Sequence, residues 1–294
     1  SKPLDEIKEQ IRKKKYSPKP VIRVEIPIPD GGVRNLGVPT VVDRFVQQAI
    51  AQVLTPIYEP KFSESSYGFR PDRCCEMAIL KALEFMNDGY QWVVDIDLEK
   101  FFDNVNHGKL LRQIWTMGIH DKKLLSIISA MLKAEVAGIG FPEKGTPQGG
   151  IRSPLLSNIV LNELDWWITS QWVGMPTRHE YSGKIHENGT KDQSKKYREL
   201  RKTNLKECYI VRYADDFKIF CRKHSDAVKL FEATRAWLKE RLGLDISPEK
   251  SKIVNLKHAY SDFLGFRIKV HKGKRNQYVV ISHIAPKALD RIKE

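Results

Sequence analysis

Cysteine is scarce in this sequence, and its few copies do not form ligand pairs. Cys74 and Cys75 are adjacent, while Cys208 and Cys221 stand alone, so none shows the two-residue spacing of a zinc knuckle or a redox motif. The eight histidines likewise form no ligand cluster. We therefore expect reduced thiols, and any catalytic metal has to be held by carboxylates.

Long apolar runs are also missing. No stretch reaches the roughly 18 residues that cross a membrane. The charged start of the chain, Ser1 to Lys15, lacks the apolar core and small-residue site of a signal peptide. We expect a cytoplasmic protein with no membrane partner, and a hydrophobic content of 41% in 294 residues allows a sizeable buried core.

Acidic residues are outnumbered. The 36 Asp and Glu face 50 Lys and Arg, which leaves a formal net charge of +14. Such an excess favours a polyanionic partner, and nucleic acid is the first candidate. Two basic segments, Lys13-Lys14-Lys15 and the polar stretch Arg178–Lys206, are candidate contact surfaces, although each could also be an ordinary solvated charge run. We interpret the second as an exposed insertion.

Apolar spacing predicts a mixed order of helices and strands. A first helix contains Leu4, and a hairpin runs from Val21 to Leu36 through a turn at Pro29–Gly32. Thr40 and Asp72 are expected to cap helices that extend to Leu54 and Asn87. The remaining strands are expected at Trp92–Asp97, Tyr209–Arg212, Phe217–Cys221, Phe263–Val270 and Tyr278–Ile281, and the remaining helices at His107–Met117, Asp121–Lys133, Ser153–Trp172 and Ser225–Leu242. This order predicts an α+β fold in which helices cover one face of a sheet.

Three aspartates stand at the ends of predicted strands. Asp215 and Asp216 occupy a hairpin tip, and Asp97 ends a separate strand. Neighbouring carboxylates can hold two Mg²⁺ about 3.5 to 4 Å apart, as in phosphoryl transfer. Each residue alone could equally be a turn or a strand-end cap.

The sequence around these aspartates resembles reverse transcriptases, and in particular the group II intron-encoded reverse transcriptase/maturase family. The matching blocks occur in the family's order, and the phrase Asn158–Asp165 also favours the intron group. The blocks are Leu36-Gly37-Val38-Pro39-Thr40, Tyr67-Gly68-Phe69-Arg70-Pro71, Val94–Asp103, Gly145-Thr146-Pro147-Gln148-Gly149-Gly150, Tyr213-Ala214-Asp215-Asp216 and Phe263-Leu264-Gly265-Phe266.

The resemblance implies a metal site. Asp97 and Asp215 would ligate two Mg²⁺, for which Mn²⁺ could substitute, with Asp216 in a supporting role and the carbonyl of Leu98 as a further ligand. Asp95, two residues earlier on the same strand face, is not a ligand in this alignment. Lys250 matches a lysine that could protonate or screen the pyrophosphate leaving group, although it could also be a surface lysine.

The resemblance also implies a nucleotide site. Phe102 would be the aromatic plate beneath the sugar that excludes a 2′-hydroxyl. Because successive side chains on an extended segment point oppositely, Phe101 should instead pack in the core. Gln148 would contact the ribose or base.

The phosphate-binding position departs from the family pattern. Ile28 stands where the family commonly has a lysine, which leaves Arg34 and Arg23 as triphosphate candidates.

Phe263, Leu264 and Gly265 match the primer grip.

The resemblance implies the fingers and palm of a right-hand polymerase, with an antiparallel palm sheet backed by helices and the thumb essentially absent. We expect fingers at 1–90, completed by 106–145. The palm would comprise 91–105 and 146–285, including the insertion 178–206, and a thumb would begin at 286–294. A chain without a thumb is expected to extend primers weakly.

The expected function is RNA-directed DNA synthesis by a group II intron protein that also acts as a splicing maturase. Its partners would be RNA template, intron RNA, DNA primer and dNTP, and a homodimer is left open. Two alternatives are a maturase that only binds RNA and a reverse transcriptase of another retroelement or defence lineage. The intact acidic triad argues against the first.

Overall fold

The computed structural model describes residues 2–27, 33–146, 153–181, 183–187, 189, 191–273 and 277–293. It divides the chain into two compact units, each assembled from separate segments. The first unit comprises Ser1–Phe62, Leu98–Leu161 and Leu238–Asp245, and the second comprises Ser63–Asp97, Asn162–Trp237 and Ile246–Glu294.

Helices and strands alternate along both units. The helices are α1 Lys2–Arg12, α2 Val41–Tyr58, α3 Cys75–Asn87, α4 Phe101–Asn104, α5 His107–Thr116, α6 Lys122–Leu132, α7 Ser153–Gln171, α8 Ser194–Leu200, α9 His224–Trp237 and α10 Pro286–Lys293. The strands are β1 Ile22–Pro27, β2 Val33–Val38, β3 Trp92–Ile96, β4 Cys208–Tyr213, β5 Asp216–Cys221, β6 Lys252–Asn255, β7 Ser261–Phe263, β8 Phe266–Lys272 and β9 Tyr278–Ile284. A 3₁₀ turn follows α2 at Glu59–Lys61, and a π-helical turn follows α9 at Leu238–Leu242.

The first unit begins with α1 and the predicted hairpin. Strands β1 and β2 pair antiparallel, with Ile26 opposite Arg34. The expected turn at Pro29–Gly32 lies outside the described residues. The predicted cap of α2 is confirmed, because the Thr40 side chain accepts a hydrogen bond from the Asp43 amide.

Helices supply the core of the first unit. The fully buried Tyr58 donates its hydroxyl hydrogen to the Ile114 carbonyl at 2.9 Å, which ties α2 to α5. Val21 forms a parallel bridge with Val136, and its amide donates to the Glu135 carbonyl at 2.7 Å. The segment after α6 is thereby held beside the start of the hairpin.

A four-stranded antiparallel sheet organises the second unit. Its order is β4-β5-β3-β6, so β3 and β5 are central. Sequence patterning predicts three of these strands. It misses β6, which spans only Lys252–Asn255 and lacks a clear apolar alternation.

Helices cover both faces of this sheet, so the expectation of one covered face is wrong. On one face, Ala78 and Ala82 of α3 share a core with Val93 of β3. On the opposite face, Trp92 contacts His224 of α9, with ring centroids 4.5 Å apart. Val93 and its neighbour Val94 are both fully buried, as expected when a strand is covered on both sides.

A second antiparallel sheet, in the order β7-β8-β9, packs on the α3 side through Phe263 and Ile268. The predicted cap of α3 is wrong. Asp72 adopts a left-handed conformation with φ of 57°, and the helix begins only at Cys75.

The basic insertion is more structured than expected. It contains α8, whose Tyr197 stacks on the buried Trp172 with ring centroids 5.8 Å apart. Leu200 is also buried. One side of the segment is therefore part of the second unit's core, and only its other side is a surface.

Candidate active site

The candidate carboxylates lie at the ends of two adjacent strands of the second unit. Strand β3 ends at Ile96, so Asp97 follows directly. The β4-β5 hairpin turns through Ala214 and Asp215, and β5 begins at Asp216. Because Ile96 pairs with Phe217 in an antiparallel register, Asp97 follows on opposite Asp216. The structure thus brings together the three aspartates that the sequence singles out.

The backbone of Asp97 is fixed by the segment that carries Lys250. The Asp97 amide donates to Ser251 Oγ at 3.1 Å, and the Ser247 amide donates to the Asp97 carbonyl at 2.8 Å. Lys250 lies in the turn between these two serines, and its side chain is exposed. This turn therefore fixes the backbone at the end of β3, and it also carries Lys250, the lysine that the family resemblance assigns to pyrophosphate.

Negative charge accumulates around Asp216. Burial raises the pKa of Asp216 to about 6, an effect that Lys218 opposes and that the charges of Asp95, Asp215 and Asp97 reinforce. The side chain of Asp216 is nevertheless 43% exposed. A cation can therefore reach it from solvent and offset the repulsion.

Asp95 is engaged differently from Asp97. Its carboxylate lies 2.5 Å from the ammonium of Lys218, a side chain that is only 5% exposed. Lys218 also lies 3.8 Å from Asp216 and 5.5 Å from the ring centre of Phe263. The sequence did not single out Lys218, although a lysine within an apolar strand is a signal for a buried charge partner.

The primer-grip candidates form the turn between β7 and β8. Leu264 and Gly265 both have positive φ, 50° and 85°, as in a tight two-residue hairpin turn. Leu264 is unusual there because a branched residue seldom adopts this conformation. The turn is anchored by the Ala285 amide, which donates to the Gly265 carbonyl at 2.8 Å. Phe263 is buried and, through Lys218, borders the carboxylate cluster.

Comparisons with known proteins identify the family. A family model described as "Reverse transcriptase (RNA-dependent DNA polymerase)" matches residues 11–268. The chain belongs to the reverse transcriptase family. It therefore contains an RNA-directed DNA polymerase domain, and the recognition based on sequence blocks is confirmed.

Relatives and solved structures agree with this assignment. Protein YkfC of Escherichia coli K12 is 31% identical over 291 residues, which cover 96% of this chain and 75% of YkfC. The group II intron-encoded protein LtrA of Lactococcus lactis subsp. cremoris is 33% identical over 296 residues, covering 87% of this chain and 48% of LtrA. The chain thus spans about half the length of LtrA. An apo telomerase from Candida tropicalis, at 13% identity, has a similar fold with a TM-score of 0.58 over 92% of this chain and 49% of its own.

The carboxylate cluster fits the divalent metal that reverse transcriptases generally use. All its side-chain donors are oxygens, which are the ligands that Mg²⁺ prefers, and the crowding around Asp216 favours a cation. Within the described part of the chain, no three or more His, Cys, Asp or Glu side chains form a ready-made metal cage. The carboxylate oxygens are therefore suitable ligands for such a metal, but the described side chains do not already surround a single metal position.

The remaining candidates of this reverse transcriptase lie in the first unit or outside the described residues. Arg23 lines a cavity of about 200 Å³ with Gly145 and Thr146, and its guanidinium lies 2.7 Å from Glu25. Lys144 lines the same cavity, and the sequence did not single it out as a candidate. Arg34 is placed in β2, where only its backbone is described, and Leu98 is buried in the first unit. Gln148 lies outside the described residues.

The Phe102 segment is helical, and the expectation of an extended segment is wrong. It forms the short helix α4, where successive side chains diverge by about 100°. Phe101 is buried at 2% exposure and Phe102 is half-buried, so the two rings still occupy different environments. The Thr146 amide donates to the Phe102 carbonyl at 2.7 Å, so the block containing Gln148 starts beside Phe102.

No helix among the described residues is long and apolar enough to span a membrane.

Proposed function

We propose that this chain is the fingers and palm of a group II intron-encoded reverse transcriptase, which extends a DNA primer with dNTPs on an RNA template. The observation that carries the proposal is the meeting of Asp97, Asp215 and Asp216 at adjacent strand ends. In this proposal Asp97 and Asp215 hold two Mg²⁺, or Mn²⁺ in substitution, and Asp216 and the Leu98 carbonyl assist. Bound there, such ions supply positive charge to the attacking and leaving oxygens of phosphoryl transfer.

The chain's own groups would position the other reactants. Phe102 would limit the space at the sugar, and Arg23 with Arg34 would bind the triphosphate, with Gln148 at the ribose or base. Lys250 would screen or protonate pyrophosphate. The hairpin turn Phe263–Gly265 would grip the primer, and its link to Asp216 through Lys218 supports that role.

We keep the fingers at 1–90, completed by 106–145, and the palm at 91–105 and 146–285. The two compact units divide the chain differently: Ser63–Asp97, which includes α3, belongs to the second unit, and Leu98–Leu161, which includes α4, belongs to the first. Helix α10 would open a thumb.

Intron RNA is the proposed further partner. The net charge of +14 supports a polyanionic ligand, and LtrA is by its name encoded in a group II intron. Maturase function would then coexist with DNA synthesis. The strongest competitor is a protein that binds intron RNA without synthesising DNA.

Primer extension on an RNA template separates these possibilities. The wild-type chain is compared with Asp215→Asn and with Glu99→Gln, a matched loss of an exposed carboxylate. We expect extension by wild type and Glu99→Gln only, with RNA affinity equal in all three. If splicing assistance is a separate activity, Asp215→Asn should retain it. Because a chain without a thumb is expected to extend primers weakly, a longer form that includes a thumb is assayed in parallel. Absence of extension by both wild-type forms at saturating primer, dNTP and Mg²⁺, together with RNA binding, would favour the binding-only protein.

A further inference from the structure

A fully buried arginine reaches the turn that carries the candidate metal ligands. Arg212 precedes the turn in β4 and is 0% exposed. Its Nη1 donates to the Ala214 carbonyl at 2.7 Å. Ala214 has a φ of 57°, so the backbone leaves the extended conformation at the residue that the guanidinium holds. Alternation along β4 directs the Arg212 side chain to the face opposite Asp216, so the turn is held from behind.

The rest of the guanidinium is bound by Asp165, a fully buried residue of α7. Arg212 Nε donates to Asp165 Oδ1 at 2.7 Å, and Nη2 donates to Oδ2 at 2.6 Å. Nη2 also donates to Ser66 Oγ at 2.8 Å. Burial raises the pKa of Asp165, and the charge of Arg212 opposes that rise. The bidentate pair fixes the plane of the guanidinium, and with it the direction of the Ala214 bond.

The backbone of Arg212 is held at the same point. Its amide donates to the Ser65 carbonyl at 2.9 Å, and its carbonyl accepts from the Tyr67 amide at 2.8 Å. Both backbone groups and the side chain of Arg212 are therefore bonded within the second unit. The end of β4 has little freedom to shift relative to α7.

Stability alone is a weak reason for this arrangement. Desolvating two charges costs several kcal/mol, and well-packed apolar residues often replace a buried ion pair without loss of stability. An apolar pair could not bond the Ala214 carbonyl. Lysine would keep the charge but lacks the planar fork that binds Asp165 and Ala214 together.

We propose that Arg212 and Asp165 are positioning residues that hold the Ala214-Asp215 turn in the geometry required for metal binding. The inference rests on the proposed role of Asp215 and Asp216. Asp165, which stands out in the sequence only as part of the family-like phrase Asn158–Asp165, thereby gains a role. Neither residue would touch substrate, since both act through the backbone of the turn.

The test is single-turnover incorporation of one dNTP on an RNA template over a Mg²⁺ titration. The main variant, Arg212→Met with Asp165→Leu, removes both charges together and so avoids an unpaired buried charge. We expect a rate about 100-fold lower, the loss typical of a misplacement of about 1 Å, and a higher half-saturating Mg²⁺ concentration. The KM for dNTP and the RNA affinity should stay within about threefold, since a ground-state binding site is not removed.

Two single variants complete the test. Arg212→Lys keeps the charge but not the fork, and it should shift the Mg²⁺ dependence in the same direction. Ser66→Ala removes one bond of the guanidinium and leaves the Ala214 contact, so it should behave like wild type. A purely structural pair would change the melting temperature and RNA affinity without changing the Mg²⁺ dependence.

Asp215→Asn, measured in parallel, separates this inference from the proposed function. If Asp215→Asn is inactive while the double variant and Arg212→Lys keep the wild-type rate and Mg²⁺ dependence, the positioning role is refuted. If the double variant does not fold, Arg212→Lys decides in the same way. If Asp215→Asn incorporates dNTP like wild type, the metal assignment itself fails, and the inference fails with it.

Discussion

Gly68 packs directly against the turn that carries Asp215, so the smallest possible enlargement should disturb it. A Cβ added to Gly68 would stand 2.3 Å from the Ala214 nitrogen and 3.0 Å from the Tyr213 carbonyl carbon. Both are backbone atoms, so no side-chain rotation can relieve the clash. Gly68→Ala therefore tests whether the position of the turn controls catalysis.

The expected magnitude follows from these distances. Ordinary van der Waals contact begins near 3.4 Å, so the Ala214 nitrogen and the new methyl group must separate by about 1.1 Å. A shift of about 1 Å in a catalytic group can cost about 100-fold in rate, which corresponds to about 2.7 kcal/mol of activation free energy. Overpacking should cost a further 1–3 kcal/mol or so of unfolding free energy.

The assay is single-turnover dNTP incorporation, combined with thermal unfolding. Gly108→Ala is the matched control, because its nearest atom, Asn106 Oδ1, would lie at 3.5 Å in an exposed part of α5. Alanine there should leave the rate unchanged and stabilise the helix slightly. A folded Gly68→Ala enzyme with the wild-type rate and Mg²⁺ dependence would show that the position of the turn does not control catalysis.

Three further predictions concern selectivity, RNA binding and stability. Phe102→Val should raise the ratio of rNTP to dNTP incorporation at least about tenfold, or about 1.4 kcal/mol, whereas Phe101→Ala should mainly lower the unfolding free energy by about 3–5 kcal/mol. Log RNA affinity should fall linearly with log salt, by about 0.7 to 0.9 per phosphate contact, and neutralising exposed lysines of the insertion should reduce that slope if they touch RNA. Those lysines, changed together to alanine, are Lys184, Lys191 and Lys195. Asp43→Ala should cost about 3 kcal/mol in denaturant unfolding, since buried Asp43 accepts from Tyr16 at 2.6 Å and the Lys19 amide at 3.1 Å.

For each of these three predictions, one experimental outcome would contradict it. Unchanged nucleotide selectivity in Phe102→Val with relaxed selectivity in Phe101→Ala would show that the two roles are reversed. If RNA affinity does not change with salt concentration, phosphate contacts are not its main source. Wild-type stability of Asp43→Ala would show that its donors find other partners.

The sequence predicted the structural elements whose formation depends on neighbouring residues. The Thr40 cap, the strand before Asp97 and the hairpin around Asp215 all depend on spacing or on turn chemistry within a few positions, and the structure contains each of them. The Asp72 cap failed because a possible cap does not reveal whether the next residues continue as a turn. Asp72 adopts a left-handed conformation, and the helix starts three residues later.

Contacts between distant segments were beyond local patterns. Asp165 and Arg212 meet only because α7 packs behind β4, and Lys218 finds Asp95 only because β3 and β5 pair in one register. Gly68 likewise appeared as part of a block without a visible reason for glycine. A charged residue inside an apolar strand or helix is the signal that the sequence offers, because a buried charge needs a partner.

In the proposed function, Asp97 serves RNA-templated DNA synthesis by binding a divalent metal. The most direct test of this role is the rate of dNTP incorporation on an RNA template across a Mg²⁺ titration, for wild type, Asp97→Asn and Glu99→Gln. We predict a Mg²⁺-dependent rate for wild type and Glu99→Gln, and no detectable incorporation at any Mg²⁺ concentration by a folded, RNA-binding Asp97→Asn enzyme. Incorporation by Asp97→Asn within about tenfold of wild type, a difference of only about 1.4 kcal/mol, would contradict it.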